Sequence, residues 1–321
     1  MILALAGGVG GAKLAHGLAR LLPPEQLQIA VNTGDDFVHL GLHVSPDLDS
    51  VMYKLAGLND PARGWGLAGE SWHFMEALGR LGGETWFNLG DRDLATHVER
   101  TRRLAAGETL SAVTATLCRA LGIRHRVAPL SDDPVRTVVL SGDERIPFQD
   151  YFVRLKCEPA VSGFVFDGAE AARPSPAFAR ALADRALEAV VICPSNPFVS
   201  VAPILALPAV AAAIAARRVP VVAVTPIIGG EAVKGPAAKM MRELGLRLSA
   251  SAIAAHYGRS IDGFVVDEAD MAEAAAIEAL GVRALVAPTL MRTADDERRL
   301  AEDTVRFART LRPRAPLEGR L

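Results

Sequence analysis

Apolar runs alternate with amphipathic stretches along most of the chain, and this order predicts an α/β fold. Short apolar runs typical of strands buried on both faces lie at 2–6, 28–33, 135–140, 189–193, 219–225, 263–266 and 284–287. Helical patterns begin at Ala12 and cover 201–216, 237–244, 271–280 and 295–311. Strands that alternate with helices in this way form a mostly parallel sheet with helices on both faces. We therefore expect a Rossmann-like, doubly wound sheet.

One long segment, about 63–130, departs from this alternation. Its patterns are mainly helical, with one strand signal at 84–89. We expect a helical insertion over one end of the sheet, within a single domain of residues 1–321. In this segment Arg102 and Arg103 are typical of a solvated helix face, and Asp91 or Asp93 is suited to a helix N-terminus. For Arg92 and His97 a structural role and a functional role stay equally open.

Composition excludes several classes of protein. The net charge of -2, with Lys and Arg dispersed, provides no basic field for a nucleic-acid partner. Three cysteines far apart argue against a disulfide framework or a cysteine zinc site. No apolar run reaches membrane length, and no charged leader precedes the first strand. We expect a cytoplasmic protein without membrane contact.

The first stretch, MILALAGGVGGAKLAHG, predicts a strand, a tight glycine turn and a helix N-terminus. Glycine lets a phosphate approach the backbone amides, and the helix dipole attracts an anion. Gly8, Gly10, Gly11 and Lys13 are therefore candidate phosphate ligands. A Walker A loop is excluded because Lys13 precedes leucine, and the dinucleotide fingerprint fits only in part. A tight βα connection without a ligand stays the simpler alternative.

Two acidic pairs follow within fifteen residues. Asp35 and Asp36 come after the second strand, and Asp47 and Asp49 open the next helix. Asp47 is interpreted as a helix cap, so that its replacement by Asn should be tolerated. Mg²⁺ uses one or two carboxylates together with phosphate oxygens, so the other acids are candidate ligands. We expect Asp36 and Asp49, with Asp35, to hold Mg²⁺ and to serve catalysis.

Polar or turn-forming segments also follow the later strands. They are Pro194 to Pro197, Pro226 to Gly230, Lys234 to Pro236, and Asp267. In an open parallel sheet, ligands bind outside the carboxyl ends of the strands. No Ser-His-Asp order or Gly-x-Ser-x-Gly elbow accompanies them, which argues against a serine hydrolase.

Seven segments, in this order, resemble those of one family. They are Gly7-Gly8-Val9-Gly10-Gly11-Ala12-Lys13-Leu14, Asn32-Thr33-Gly34-Asp35-Asp36, Pro46-Asp47-Leu48-Asp49, Leu89-Gly90-Asp91-Arg92-Asp93, Ser131-Asp132-Asp133-Pro134, Pro194-Ser195-Asn196-Pro197 and Lys234-Gly235-Pro236. The chain resembles, over nearly its whole length, the 2-phospho-L-lactate transferase family of deazaflavin coenzyme F420 biosynthesis. One departure is Cys193, where the family leads us to expect glycine.

The resemblance implies an activity and its substrates. Such an enzyme joins the deazaflavin Fo to a three-carbon acid phosphate delivered as a guanosine diphosphate conjugate, releases GMP and requires Mg²⁺. The donor could derive from lactate, enolpyruvate or glycerate, and the motifs do not separate these. Independently of the resemblance, an exposed helical insertion beside an apolar sheet leads us to expect a homodimer.

The same resemblance implies roles for single residues. Asp49 would contact the ribityl end of Fo or the cation, with Asp36 and Asp35 as metal partners. Asn88 would lie against Fo, with Arg92 nearby in the same segment. Lys13 would face the diphosphate as a point charge, and the side chains of Ser195 and Asn196 would pair with the guanine edge.

Two alternatives come from other classes. A nucleotide-sugar or NAD-dependent enzyme would use the same first turn, but with glycine at position 13 and a lone ribose-binding acid. A non-catalytic nucleotide-binding regulator would keep the glycine turn and lose the acids. The intact acid cluster argues against both.

Overall fold

Strands are short, and five strands of the central sheet are largely apolar and have every residue buried. The computed structural model describes residues 1–232 and 235–313. Its strands are β1 (Ile2–Ala6), β2 (Leu27–Val31), β3 (Phe37–His39), β4 (Leu42–Val44), β5 (Arg126–Pro129), β6 (Arg136–Ser141), β7 (Glu144–Pro147), β8 (Gly163–Asp167), β9 (Ala189–Ile192), β10 (Val221–Val224), β11 (Ile227–Ile228), β12 (Glu231–Ala232), β13 (Gly263–Val266) and β14 (Arg283–Val286).

Helices follow or connect these strands. They are α1 (Gly8–Leu21), α2 (Pro46–Leu55), α3 (His73–Arg80), α4 (Asp93–Ala105), α5 (Leu110–Ala120), α6 (Pro176–Ala183), α7 (Ala202–Leu205), α8 (Pro208–Ala215), α9 (Ala237–Glu243), α10 (Ala250–Tyr257), α11 (Ala274–Ala279) and α12 (Ala294–Thr310). Short 3₁₀ turns lie at Pro24–Gln26, Gly258–Ser260 and Glu268–Glu273, and π-helical turns at Asp150–Arg154 and Pro197–Val201.

The central sheet has seven strands in the order β14-β13-β10-β9-β1-β2-β5. Every neighbouring pair is parallel. The chain builds β1, β2 and β5 towards one edge, then returns to the other side of β1 and builds β9, β10, β13 and β14. The predicted doubly wound α/β fold is confirmed. Its strand order reverses between β1 and β9, which makes that point the expected ligand crevice.

Helices cover both faces of this sheet. Ile2, Ala4 and Ala6 of β1 face a core formed with α1, α2, α5 and α12. Leu3 and Leu5 face the other core, which contains α6 to α11 and the antiparallel sheet β7-β6-β8. Adjacent residues of a strand point to opposite faces, so each strand contributes to both cores.

Several element predictions were wrong in detail. Helix α1 begins at Gly8 rather than at Ala12, so the glycines form its first turn. The segment 84–89 contains no strand. The predicted helix 201–216 is broken before α8, where Pro208 takes the first helical position. Proline fits that position because its missing N–H would have no helical partner there.

The segment 63–130 contains helices α3, α4 and α5. Helix α5 packs into the core beside α1, and β5 pairs with β2 at the edge of the central sheet. The last part of the segment, α5 and β5, therefore belongs to the central sheet and the helices that cover it. Helices α3 and α4 precede this part in the chain. Lys234 falls outside the described residues.

Within residues 1–232 and 235–313, no single helix has both the length and the apolarity needed to cross a membrane, and one bent pair, Pro197–Leu205 with Pro208–Ala215, meets both conditions together.

Candidate active site at the sheet switch point

A cleft of about 500 Å³ opens at the carboxyl ends of the central strands. Its floor contains the start of α1, the residues after β9 and the first turn of α2. Its outer part is lined by aromatic side chains, namely Trp65, Trp86, Phe87, Phe148 and Phe152. The volume lies within the range of small-molecule sites, which is roughly 300–1,000 Å³. The cleft therefore has a backbone-lined end and an aromatic end.

The glycines at the backbone-lined end are required by close contacts. A Cβ built on Gly10 would lie 2.2 Å from the carbonyl oxygen of Pro194. A Cβ on Gly11 would lie 2.5 Å from Ser195 Oγ. Gly8 has φ +60°, a conformation that residues with a Cβ rarely adopt. Helix α1 thus lies directly against the end of β9, and its first N–H groups face the cleft with the positive end of the helix dipole.

Asp35 and Asp47, here called the carboxylate pair, lie beside this helix N-terminus. Asp47 Oδ1 accepts a hydrogen bond from Gly8 N at 2.6 Å. The side-chain amide of Asn32 donates to Asp47 Oδ2 at 2.9 Å and to Asp35 Oδ1 at 3.1 Å. The predicted capping role of Asp47 in α2 was wrong, because α2 is preceded by Ser45 and the Asp47 carboxylate is directed to α1.

Burial and the charges of neighbouring acids raise the pKa of both members of the carboxylate pair. Burial, followed by the charge of Asp47, raises the pKa of Asp35 well above its usual value. Burial also raises the pKa of Asp47 to about 6, against the hydrogen bonds from Asn32, Gly8 and Ser200. The pair is therefore electrostatically unfavourable as two carboxylates, and a cation nearby would relieve it.

Asp36 lies next to the carboxylate pair and contributes to its negative field. Its charge raises the pKa of both Asp35 and Asp47. Its Oδ2 accepts from Ser45 Oγ at 2.7 Å and contacts His43 Nε2 at 3.1 Å. Among the described residues its buried Oδ1 has no hydrogen-bond partner. Asp36 is not among the described residues that line the cleft, so it acts on the carboxylate pair through its charge.

A second buried group, here called the α4 network, joins α2 to α4. Arg100 donates through two nitrogens to the two carboxylate oxygens of Asp49. His97 Nδ1 lies 3.7 Å from Asp49 Oδ2, and His97 Nε2 lies 3.3 Å from Asp93 Oδ2. Tyr53 donates its hydroxyl to Asp93 at 2.5 Å. The structure therefore places Asp49 in a different group from Asp35, opposite an arginine.

Charges within the α4 network offset one another. Burial lowers the pKa of Arg100, but the Asp49 carboxylate outweighs it and raises that pKa overall. Burial raises the pKa of Asp93, but hydrogen bonds from His97 and Tyr53 outweigh it and lower that pKa. Burial raises the pKa of Asp49, while Arg100 and His97 oppose the rise. Asp49, Asp93 and His97 lie close enough to ligate one ion, but Arg100 already holds Asp49.

The aromatic end of the cleft is built by two loops. Phe37 and His39 of β3 contact Trp86 and Phe87, with Phe37 and Phe87 edge to face at 4.8 Å between ring centres. The Arg63 guanidinium lies over the rings of Trp65 at 5.5 Å and Trp72 at 4.9 Å. Asn88 lines the cleft next to Phe87. Such walls suit a planar ring system.

Of the remaining predicted site residues, Lys13, Ser195 and Asn196 line the cleft and Arg92 does not. Lys13 lines the cleft and donates from Nζ to the carbonyl of Met291 at 2.7 Å. Ser195 Oγ accepts from Gly7 N and donates to Gly7 O, so it ties β9 to β1. Asn196 accepts from Phe198 N and thereby caps the turn that follows. Arg92 is exposed, donates to Ala68 O and is not a lining residue of the cleft in the described chain.

The sequence is similar to one family of known proteins over nearly its whole length. The family model described as 2-phospho-L-lactate transferase CofD matches residues 2–298. The chain belongs to the CofD family. It is 42% identical over 317 residues to a phosphoenolpyruvate transferase of Streptomyces avermitilis, covering 97% of this chain and 99% of that protein. It is 37% identical over 299 residues to a 2-phospho-L-lactate transferase of Methanosarcina mazei, covering 93% and 97% respectively.

A solved structure agrees on the fold. A crystal structure of a UPF0052-family protein from Bacillus halodurans superimposes with a TM-score of 0.60 at 15% identity, covering 95% of this chain and 98% of that one. The family resemblance and the transferase class are confirmed, and the chain is a phosphotransferase of coenzyme F420 biosynthesis. An NAD-dependent enzyme and a non-catalytic regulator are the weaker interpretations.

Sequence reasoning missed four residues of the site: Asn32, Tyr53, Asp93 and Arg100. The spacing of Asp93, His97 and Arg100 was a usable signal, because residues four and seven apart share one helix face. Asn32 had no comparable signal, since its role depends on Asp35 and Asp47 meeting in the fold.

Proposed function

We propose that this member of the CofD family transfers a phosphorylated three-carbon acid from its guanosine diphosphate conjugate to Fo. The hydroxyl oxygen at the ribityl end of Fo forms a bond to the phosphorus that carries the three-carbon acid. The bond from that phosphorus to the bridging oxygen breaks, GMP leaves, and the hydroxyl proton is lost. Family membership supports the reaction class, and the arrangement of the cleft supports the substrates.

The main support for this proposal is that one cleft is lined both by the N-terminus of α1 and by aromatic side chains. At one end the N-terminus of α1 offers the positive end of its dipole and the backbone N–H groups after that of Gly8, which is donated to Asp47; these suit a diphosphate. At the other end Trp86 and Phe87 offer aromatic faces that suit a planar deazaflavin. Asp49 also lines the cleft and is proposed to contact the ribityl hydroxyl.

The acids beside α1 fit a magnesium ion. Asp35 and Asp47 are buried carboxylates whose pKa values are raised by burial and proximity, and Asp36 Oδ1 has no partner among the described residues. Oxygen ligands of this kind are those that Mg²⁺ prefers. We therefore propose Asp35 and Asp47 as ligands, with Asp36 adding negative charge nearby. Bound Mg²⁺ would neutralise charge on the donor phosphates.

The identity of the three-carbon acid is proposed from the relatives. Relatives from Streptomyces and Nocardia that are 39–42% identical to this chain are named phosphoenolpyruvate transferases. Those from Methanosarcina, at 37–38%, are named 2-phospho-L-lactate transferases. We propose the enolpyruvate-derived donor for this chain.

Product analysis tests the proposal directly. The purified protein is incubated with Fo, Mg²⁺ and, in separate reactions, the guanylylated donor derived from lactate, enolpyruvate or glycerate. The products are identified by mass spectrometry. We expect an Fo adduct and stoichiometric GMP, formed fastest from the enolpyruvate donor. No adduct with any of the three donors would contradict the function, and faster transfer of phospholactate would contradict only the donor.

Nucleotide selectivity and assembly are tested separately. Calorimetry should show tighter binding of GDP than of ADP; equal affinities would contradict the guanine conjugate. Because Ser195 Oγ donates its proton to Gly7 O and accepts from Gly7 N, its side chain could contact guanine only as an acceptor. The proposed homodimer is checked by light scattering.

A further inference from the structure

Three side chains on one face of α4 meet two on α2. Asp93, His97 and Arg100 follow one another at four and three residues, and Asp49 and Tyr53 are four apart. All five are buried. Residues at these spacings lie on the same side of a helix, so the α4 network forms a polar seam between the two helices.

Within this seam the members differ in access to the cleft. Asp49, Tyr53, Asp93 and His97 line it. Arg100 is 1% exposed and is not a lining residue in the described part of the chain, so its guanidinium lies behind the Asp49 carboxylate. Arg100 is therefore placed to act on a substrate only through Asp49.

We propose that Arg100 is a positioning residue, which fixes the orientation of the Asp49 carboxylate towards the acceptor hydroxyl. The inference rests on the proposed function, because it needs Asp49 to contact the acceptor. Two parallel hydrogen bonds from one planar guanidinium define the rotation of a carboxylate as well as its position. Arg100 Nη1 also contacts His97 Nδ1 at 3.3 Å and the carbonyl of His43 at 3.4 Å, so the guanidinium is itself held on several sides.

A purely structural ion pair is the competing explanation. A buried pair of this kind can join two helices without serving catalysis, and removing one partner is strongly destabilising. The two explanations differ in what they predict for each folded molecule. A structural pair lowers the folded fraction, whereas a positioning residue lowers the turnover of the protein that has folded.

The experiment compares Arg100→Lys and Arg100→Ala with Arg102→Lys and Arg102→Ala. Lysine keeps the charge but is a point charge that cannot form the two-nitrogen fork. Arg102 lies on the same helix, is exposed and pairs with Glu99 on the surface. Turnover is expressed per GDP-binding site counted by calorimetry, so misfolded protein does not contribute.

We expect Arg100→Lys to reduce kcat per site by about 100-fold, the scale of a small misplacement of a reacting group. GDP affinity should change less than about threefold, because the donor end of the cleft does not contain Arg100. Added guanidinium should restore turnover of Arg100→Ala by about tenfold, through the vacated charge position, and should not restore Asp49→Asn. Both Arg102 variants should keep the wild-type turnover.

Each other result overturns a defined statement. Wild-type protein without transfer activity contradicts the proposed function, and the inference with it. Active wild-type protein together with full turnover per site in Arg100→Lys contradicts the positioning role alone. Loss of turnover in Arg100→Ala without guanidinium rescue, accompanied by an equal loss of GDP affinity, shows a structural role and also overturns it.

Discussion

The carboxylate pair and the α4 network are both buried groups of acids on the same cleft, but their surroundings differ. Asp35 and Asp47 are contacted by an amide, a backbone N–H and a hydroxyl. Asp49 and Asp93 are contacted by a guanidinium, an imidazole and a phenol. Neutral donors orient a carboxylate but leave most of its charge in place, whereas a cation offsets it.

This difference indicates different tasks for the two groups. The carboxylate pair retains a negative field at the N-terminus of α1, and an added cation would be stabilised there together with an anionic ligand. The α4 network already contains its cation, so a metal ion would compete with Arg100 for Asp49. We therefore assign ion binding to the first group and orientation of the acceptor to the second.

Replacing one acid in each group gives the largest expected effect. Asp47→Asn should reduce kcat by two to four orders of magnitude, roughly 3–5 kcal/mol, because charge on the transferring phosphate loses its stabilisation. The Mg²⁺ concentration for half-maximal rate should rise as well. Steady-state kinetics across a magnesium titration measures both.

Asp49→Asn is the matched comparison. It should reduce kcat while leaving the Mg²⁺ midpoint near that of the wild-type protein, since the ion is assigned to the other group. A shifted midpoint in Asp49→Asn with an unchanged one in Asp47→Asn would reverse the assignment and restore the ligand set expected from the sequence.

The backbone beside the carboxylate pair is tested by a glycine substitution. Gly10→Ala should lower the free energy of unfolding by about 3 kcal/mol, because a Cβ there would meet the Pro194 carbonyl at 2.2 Å and a backbone group cannot rotate away. Thermal and urea unfolding measure the loss. Gly79→Ala in α3 is the control.

At Gly79 the nearest atom to an added Cβ is Thr85 Cγ2 at 3.6 Å, which is an ordinary contact. Alanine should therefore be neutral there or stabilising by up to about 1 kcal/mol. Equal stability of the two variants would show that α1 and the end of β9 can move apart.

The two groups were not equally predictable from sequence. The glycine turn follows β1 and Asp35 follows β2, and parallel strands bring their carboxyl ends to one edge, so Gly8 and Asp35 could be placed together. Asp47 was not placed with them, because it was interpreted as a helix cap. The order of strands could not predict which group donates a hydrogen bond to each acid. Asp47 binds an N–H of α1, thirty-nine positions earlier, rather than capping its own helix.

The α4 network was predicted poorly for a related reason. Arg100 belongs to a helix whose other arginines pair along the surface: Arg102, which is exposed, and Arg103, which is half-buried, both bond Glu99. Its burial depends on the packing of α4 near α2, fifty-one positions from Asp49, which no local pattern encodes. Charged residues are rarely fully buried, so composition gave no reason to separate Arg100 from its exposed neighbour Arg102.

Asp47 of the carboxylate pair and Asp93 of the α4 network should contribute differently to the pH dependence of the unfolding free energy of the metal-free protein. Asp47 has a folded pKa of about 6, above the unfolded value of 3.8, so the folded state binds its proton more tightly. Its contribution is therefore present at low pH and is lost as pH rises through 6. From pH 5 to 7.5 we expect this one acid to remove about 1 kcal/mol, measured as the part of the pH slope that Asp47→Asn abolishes.

Asp93→Asn is the control for that slope. The folded pKa of Asp93 is lowered, so its contribution is present above the unfolded value of 3.8 and is lost only as pH falls through the folded pKa. The variant should be less stable than the wild-type protein by the same amount at pH 5 and at pH 7.5. A change of slope in Asp93→Asn, or none in Asp47→Asn, would contradict the electrostatic distinction between the groups.

The smallest expected effect concerns Lys13, the basic residue at the α1 end of the cleft. Its Nζ donates to the Met291 carbonyl, which fixes the amine near the cleft wall and limits how fully it can bond a phosphate. Lys13→Ala should therefore weaken GDP binding by only about fivefold, roughly 1 kcal/mol, in calorimetry at low salt. Fo binding, followed by its fluorescence, should not change, because the acceptor is assigned to the aromatic end. A loss confined to Fo would place the diphosphate elsewhere, and equal losses of both ligands would show that Lys13 holds the wall formed by Met291.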